Sequence, residues 1–199
     1  MPPINISLQK TQTHIDWLKQ KLFLDSQSSN AKKRIIKRGQ VYEVELGMGV
    51  GSEIQKCRPC LIYQNDIGNI KSSKTIVIPI SHTKKDLGCL VPFTPKLDAS
   101  GNILLDGFVN VSEIRAVDKA RIQDYKCNLE NSELKDVDAA LARNLDIYKH
   151  YTAMKNKYDD KTEYADKLNN LIKDIKTLLN VEKNEEILTK IQDLLDNID

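Results

Sequence analysis

The stretch C57-R-P-C-L-I-Y-Q-N-D66 decides how this chain is read. Positions 60–63 are all apolar or aromatic, the composition of a strand buried in a core. An arginine backed by a proline stands at the mouth of that run. Burying an unpaired cation is costly, so Arg58 is either paired inside the fold or waits at the end of a rigid strand for an anion.

Working outward, Tyr42, Val44 and Leu46 alternate with Glu43 and Glu45, which predicts a half-buried strand. The glycine-rich segment G47-M-G-V-G-S-E-I-Q-K56 follows as a loop. Gly47, Gly49 and Gly51 imitate a phosphate loop, but no Gly-Lys-Ser/Thr and no helix follow, so a mobile cover over a groove is the better reading. Downstream, T75-I-V-I-P-I80 is a second continuous apolar run, and Pro79 within it points to an edge strand or a bulge. Short strands are predicted near 90–93, 103–105 and 108–116. Asn131 or Ser132 can cap a helix with Leu134, Val137, Leu141 and Leu145 on one face. These elements make an α+β body over 37–148: a small β-barrel closed by a helix.

Both ends read differently. Residues 1–36 carry an amphipathic stretch with Ile15, Leu18 and Leu22 at helical spacing. The Ser/Asn-rich run at 26–30 ends it, and a basic linker follows. Residues 149–199 predict two helices: a short coiled-coil-like seam of Tyr164, Leu168, Leu171, Ile175 and Leu178, a break at Asn180, then Ile187, Ile191, Leu194 and Ile198. So short a seam is marginal alone in water. It needs a partner: the N-terminal helix around Ile15–Leu22, a second copy of itself, or another protein, with packing on the N-terminal helix, within the chain or across a dimer, the favoured one.

The formal net charge is +2, but it is unevenly spread. Residues 32–86 hold eleven Lys/Arg against five Asp/Glu, and residues 150–199 hold eight against eleven. The first region can attract a polyanion; the tail cannot. The basic residues at 32–38 suit phosphates, or serve as a solvated linker. No apolar run reaches the ~18 residues of a membrane span, and the start of the chain has no secretory pattern, so a cytoplasmic protein with reduced thiols is expected. Cys57 and Cys60 form a CxxC with no second ligand pair nearby. In a strand the two would face opposite sides, so no metal and no cofactor is expected.

The segments RGQVYEVEL, GSE, RPCLIYQNDIGN, TIVIPIS and SEIRAVDKARI, in this order and spacing, resemble the MazF/PemK family of toxin endoribonucleases over roughly 36–148. The resemblance implies a small SH3-like β-barrel acting as a homodimer on single-stranded RNA. It also implies a cognate antitoxin, with which such toxins bind DNA. Arg58 matches the family's catalytic arginine, and a planar guanidinium suits phosphate oxygens. Ser81 stands where the family has a catalytic threonine, keeping the hydroxyl and losing the methyl. Glu53 matches a glutamate that orients the arginine. Ser52, Gln55, Asn65, Ser112 and Glu113 fall at family RNA contacts, the last two replacing a Glu-Gln pair at the base-reading region. His82 adjoins Ser81 and reaches the same site only if the strand ends at Ser81. The competing function is a barrel that binds without cutting, as the gyrase-poisoning relatives of this fold do.

Overall fold

The apolar run at 60–62 is unbroken because the strand carrying it is buried on both faces. The computed structural model describes residues 6–82 and 88–197. Its elements are α1 (Leu8–Ala31), β1 (Gln40–Glu45), β2 (Cys57–Ile62), α2 (Asp66–Lys71), β3 (Lys74–Ser81), β4 (Leu90–Pro92) and β5 (Lys96–Leu97). There follow β6 (Ile103–Leu105), β7 (Phe108–Asn110), β8 (Arg115–Asp118), β9 (Ile122–Asn128), α3 (Asn131–Asn144), α4 (Tyr148–Leu179) and α5 (Asn184–Asp196). Short 3-10 turns at Val111–Glu113 and Lys119–Arg121 flank β8. The chain divides into two compact units between residues 146 and 147.

In the first unit the main sheet is antiparallel in the order β4-β7-β3-β2-β1-β9, with β8 also on β3. Leu61 and Ile78 enter one core together with Val41, Val109 and, from α3, Val137 and Leu141. Cys60, Ile62 and Val77 enter the other with Ile36, Val44, Val117 and Ile122. Neighbouring residues on a strand face opposite sides, so two cores demand apolar residues at every position. The expected α+β class holds: a small antiparallel sheet with a helix packed on it, and helical extensions at both ends. Among the described residues β4 and β9 end the strand order without pairing with each other, so the sheet does not close.

Strand β1 follows the same rule: Val41 enters the first core and Val44, three residues on, enters the second, so both are fully buried. Its register with β9 shifts on either side of Tyr42, the extra residues lying on β9. Tyr42 stands edge-on to Tyr125, with ring centroids 5.4 Å apart. Pro79 also corrects its reading. Strand β3 is central, not an edge: β2 lies on one side, and β8 and then β7 lie on the other. Val77 pairs with Arg115 and Ile80 with Val109, so the proline falls where β3 changes partners and a missing N–H breaks no ladder.

The helices refine three expectations. Helix α1 runs through the Ser/Asn-rich segment to Ala31, and Ser26 turns its hydroxyl back to the Phe23 carbonyl at 2.7 Å. Its inward stripe is Trp17, Leu24, Ser28 and Ala31, whereas Ile15, Leu18 and Leu22 are exposed. This stripe lies against the Lys119–Arg121 turn. The helix α3 starts at Asn131, with the Glu133 carboxylate accepting the Glu130 N–H at 2.7 Å, and stops before Leu145, which is exposed.

In the second unit, Asn180 in the left-handed conformation ends α4 as expected. Helix α5 packs back on α4. The half-buried apolar positions among the described residues are Ile172, Ile175 and Leu179 with Val181 and Ile187, whereas Tyr164, Leu168, Leu171 and Leu178 of the expected seam are exposed. Ile198 lies outside the described residues.

Candidate active site

Strand pairing brings the site together. Strands β2 and β3 pair Cys60 with Pro79 and Leu61 with Ile78. The pairing stops at Cys60 and Pro79, two residues short of Arg58 and Ser81, which leaves both at the same end of the strand pair. Two positions 23 residues apart in sequence thus line one cleft. Strand β3 ends at Ser81, which meets the condition for His82 to turn toward the same side. Arg58, Pro59, Ile80, Ser81 and His82 form one wall of an open cleft of about 430 Å³. Residues 51–55 of the β1–β2 loop, which include Ser52, Glu53 and Gln55, form the other.

Arg58 answers the question raised by its sequence context. It lies exposed at the mouth of β2, and its Nε donates to the Gln55 carbonyl at 3.2 Å. No described carboxylate forms an ion pair with it. Glu53 shares the cleft but points at its own loop, accepting the Val50 N–H at 3.0 Å. Orientation of Arg58 therefore comes from a backbone carbonyl, not from Glu53. The Gln55 side chain accepts the Gly49 N–H at 3.2 Å, folding the loop onto itself.

His82 is anchored by Asp106, with Nε2 and Oδ1 2.7 Å apart. Nothing in the sequence marks Asp106 as a site residue: it stands in the turn between β6, which pairs with β5, and β7, which pairs with β3 and β4. Gly107, at φ +114°, belongs to the same turn. A Cβ there would lie 2.8 Å from the Ser81 carbonyl oxygen, so only glycine lets the β6–β7 turn press against the end of β3.

Other expected site residues lie elsewhere. Asn65 caps α2, its side-chain oxygen accepting the Gly68 N–H at 2.7 Å, and it does not line the cleft. Ser112 hydrogen-bonds the Asn110 side chain at 2.7 Å. Glu113 pairs with Arg115 and accepts the Ile54 N–H at 3.4 Å, which ties the loop to the turn before β8. Of the basic run, Arg34 donates to the Ile122 carbonyl and Arg38 pairs with Asp138, so neither is a free phosphate clamp. Cys57 is exposed and Cys60 buried. Burial and the neighbouring Glu43 push the Cys57 thiol up to about 11, and burial pushes Cys60 higher still. Such thiols are poor nucleophiles and ligands near neutrality.

The chain resembles known proteins over the segment that builds this cleft. It is 37% identical over 108 residues to "Endoribonuclease EndoA" of Bacillus subtilis, which covers 54% of this chain and 91% of that protein. Among solved structures, MazF from Deinococcus radiodurans superposes with a TM-score of 0.49 at 18% identity, over 56% of this chain and 97% of that one. An endoribonuclease from a mycobacterial species, in complex with its cognate antitoxin, gives 0.46 at 25% identity, over 55% and 94%. The model of the PemK-like, MazF-like toxins matches residues 37–145, more than half the chain. With Arg58 and Ser81 both inside that segment, the chain belongs to the PemK-like, MazF-like toxins of type II toxin-antitoxin systems.

Proposed function

We propose that the cleft between β2, β3 and the β1–β2 loop cleaves single-stranded RNA in a sequence-selective way, the endoribonuclease activity named in its Bacillus relative. The 2′-hydroxyl next to the scissile phosphate attacks phosphorus, forming the 2′-O–P bond as the P–O5′ bond breaks. One product end is a 2′,3′-cyclic phosphate and the other a 5′-hydroxyl. The 2′-oxygen loses a proton and the departing 5′-oxygen gains one. Arg58 offers its guanidinium fork to phosphate oxygens as negative charge grows on the five-coordinate phosphorus. The Ser81 hydroxyl bonds a phosphate oxygen or the 2′-hydroxyl, and Ser52, Gln55 and His82 border the path of the strand. A homodimer and a cognate antitoxin, part of which covers the RNA groove, complete the proposed system.

One observation carries this reading: an arginine with no carboxylate partner among the described residues shares one cleft with a serine at the end of a buried strand. Guanidinium charge does at phosphorus what a divalent ion does in other nucleases, so no metal step is required. The test is a long RNA incubated with the purified protein in EDTA, followed by mapping of the ends. Cleavage in EDTA leaving cyclic phosphate supports the reading. Activity lost on chelation and restored by a divalent ion, or 5′-phosphate ends, counts against it.

A further inference from the structure

Helix α1 lies outside the matched segment 37–145, yet it touches the neck of the loop that forms one cleft wall. We propose that Trp17 on α1 is a positioning residue for the active site: it clamps the base of the 47–56 loop and, through that loop, aims Arg58. The proposal rests on the reading of the cleft given above.

The contact is close. Gly47 is buried, at φ +84°, and a Cβ there would lie 2.3 Å from Cζ2 of the Trp17 ring. The indole occupies the space any other residue's side chain would need, so glycine is required both by backbone conformation and by the ring. The Arg121 guanidinium sits 5.3 Å from the centre of the Trp17 ring, within cation–π reach. Its Nη1 donates to the Glu45 carbonyl at 2.9 Å, and the Glu45 carboxylate accepts the Gly47 N–H at 3.1 Å. Trp17, Arg121, Glu45 and Gly47 thus form one packed group at the point where β1 gives way to the loop.

From this neck the geometry runs on to the cleft. The Leu46 N–H donates to the Lys56 carbonyl at 3.0 Å and the Lys56 N–H to the Gly47 carbonyl at 2.6 Å, closing the loop. Gln55, next along, receives Gly49 on its side chain and Arg58 Nε on its carbonyl. A ring that holds Gly47 therefore holds the carbonyl that sets the direction of Arg58. At its other side the loop is tied by the Ile54–Glu113 hydrogen bond at 3.4 Å. With the ring gone, the neck keeps its hydrogen bonds to Glu45 but loses the packing that fills the space beside Gly47.

The test uses the full-length chain with Trp17→Ala and Trp17→Phe, read by amide hydrogen exchange and by RNA cleavage kinetics. In Trp17→Ala, exchange at 47–56 is expected to speed up while β2 and β3 stay protected. The kcat is expected to fall roughly 10- to 100-fold, the scale of a small misplacement of a catalytic group, with KM changing much less. Trp17→Phe, which keeps a flat ring on Gly47, is expected to restore most of both. Folded Trp17→Ala with an unchanged loop and unchanged kcat overturns the proposal. So does protection lost evenly across loop and sheet, since that marks a purely structural role. Should Trp17→Ala not fold, Trp17→Leu keeps apolar bulk without the flat ring and faces the same outcomes. A parent protein that never cuts RNA defeats the functional reading alone, because the exchange measurement tests the clamp without RNA.

Discussion

Arg38 and Arg58 stand at opposite ends of strand β2, and their surroundings could hardly differ more. Arg38 stacks 4.2 Å over the Tyr63 ring, donates to the Tyr63 carbonyl at 2.7 Å, and pairs with Asp138 at 2.5 Å. Tyr63 adds its own hydroxyl to the same carboxylate, so this end of the strand is stitched to α3. Arg58 has one backbone acceptor and an open cleft in front of it. An arginine with its stacking face and fork both occupied belongs to the fold. One whose fork is turned to solvent beside a hydroxyl belongs to a ligand. The number of satisfied donors, more than residue type or local charge, separates the two.

The sharpest way to break this contrast is to truncate both arginines. Arg58→Ala is expected to cut RNA cleavage by about 10²–10³-fold or more, the scale of losing a fixed donor at developing charge, while thermal unfolding stays at the parent value. Arg38→Ala should do the reverse, with little change in cleavage and a stability loss of about 1 kcal/mol from a partly exposed pair. A folded Arg58→Ala protein that cleaves normally removes the contrast altogether. Arg58→Lys should also be poor, since one ammonium does not reproduce a planar fork.

The next effect concerns Ser81. Ser81→Ala is expected to slow cleavage roughly 10- to 100-fold, the value of a hydrogen bond to a charged group. Ser81→Thr should match or exceed the parent, because a β-branched side chain has fewer χ1 choices. Equal rates for Ser81→Ala and parent would assign the site to Arg58 alone. His82→Ala should cost less than Ser81→Ala. Its ring is anchored at the cleft wall by Asp106, so Asp106→Asn should mimic the His82→Ala loss on the same rate assay.

The strands that carry the candidate site were legible in their apolar pattern. The runs at 60–63 and 75–80 announced two buried strands, and pairing them antiparallel brings Arg58 and Ser81 to one cleft. What failed to show were features whose cause is long-range. The inward face of α1 carries Trp17, Leu24, Ser28 and Ala31, two of them small, because it nests against a turn about a hundred residues away. Periodicity instead drew attention to Ile15, Leu18 and Leu22, which are exposed. The open sheet and the bulges of β9 are likewise set by partners that local alternation does not name. Asn65 and Glu113 looked like contacts to RNA; the structure occupies one with a helix cap and the other with Arg115.

The smallest expected effect lies far from the cleft, at the start of α3. Burial pushes the Glu133 carboxyl up, but the Glu130 N–H, the Lys96 ammonium and the Thr94 N–H outweigh it, and the net value falls below the ordinary 4.5. A depressed carboxylate stabilises the fold above its unfolded value. That contribution is lost as pH falls from about 4.5 through the lower folded value. Glu133→Gln should flatten the acid limb of stability against pH below that point and leave the cleavage rate near neutrality unchanged. An acid limb identical to the parent's would place the acid sensitivity elsewhere.

Pro79 has a bearing on errors in assembly. Two different strands dock in succession along one edge of β3, an arrangement that invites one of them to slide into the other's place. A slip by one residue turns every side chain on the moving strand to the opposite face. On the β2 side, it would carry Ser81 away from Arg58. A residue without an N–H, placed where β8 hands over to β7, marks the boundary, because a continuous ladder across it would leave a carbonyl without its donor. The proline acts as punctuation: it keeps two short pairings from being read as one long one, so the chain that folds to lowest energy is also the one whose arginine and serine line one cleft.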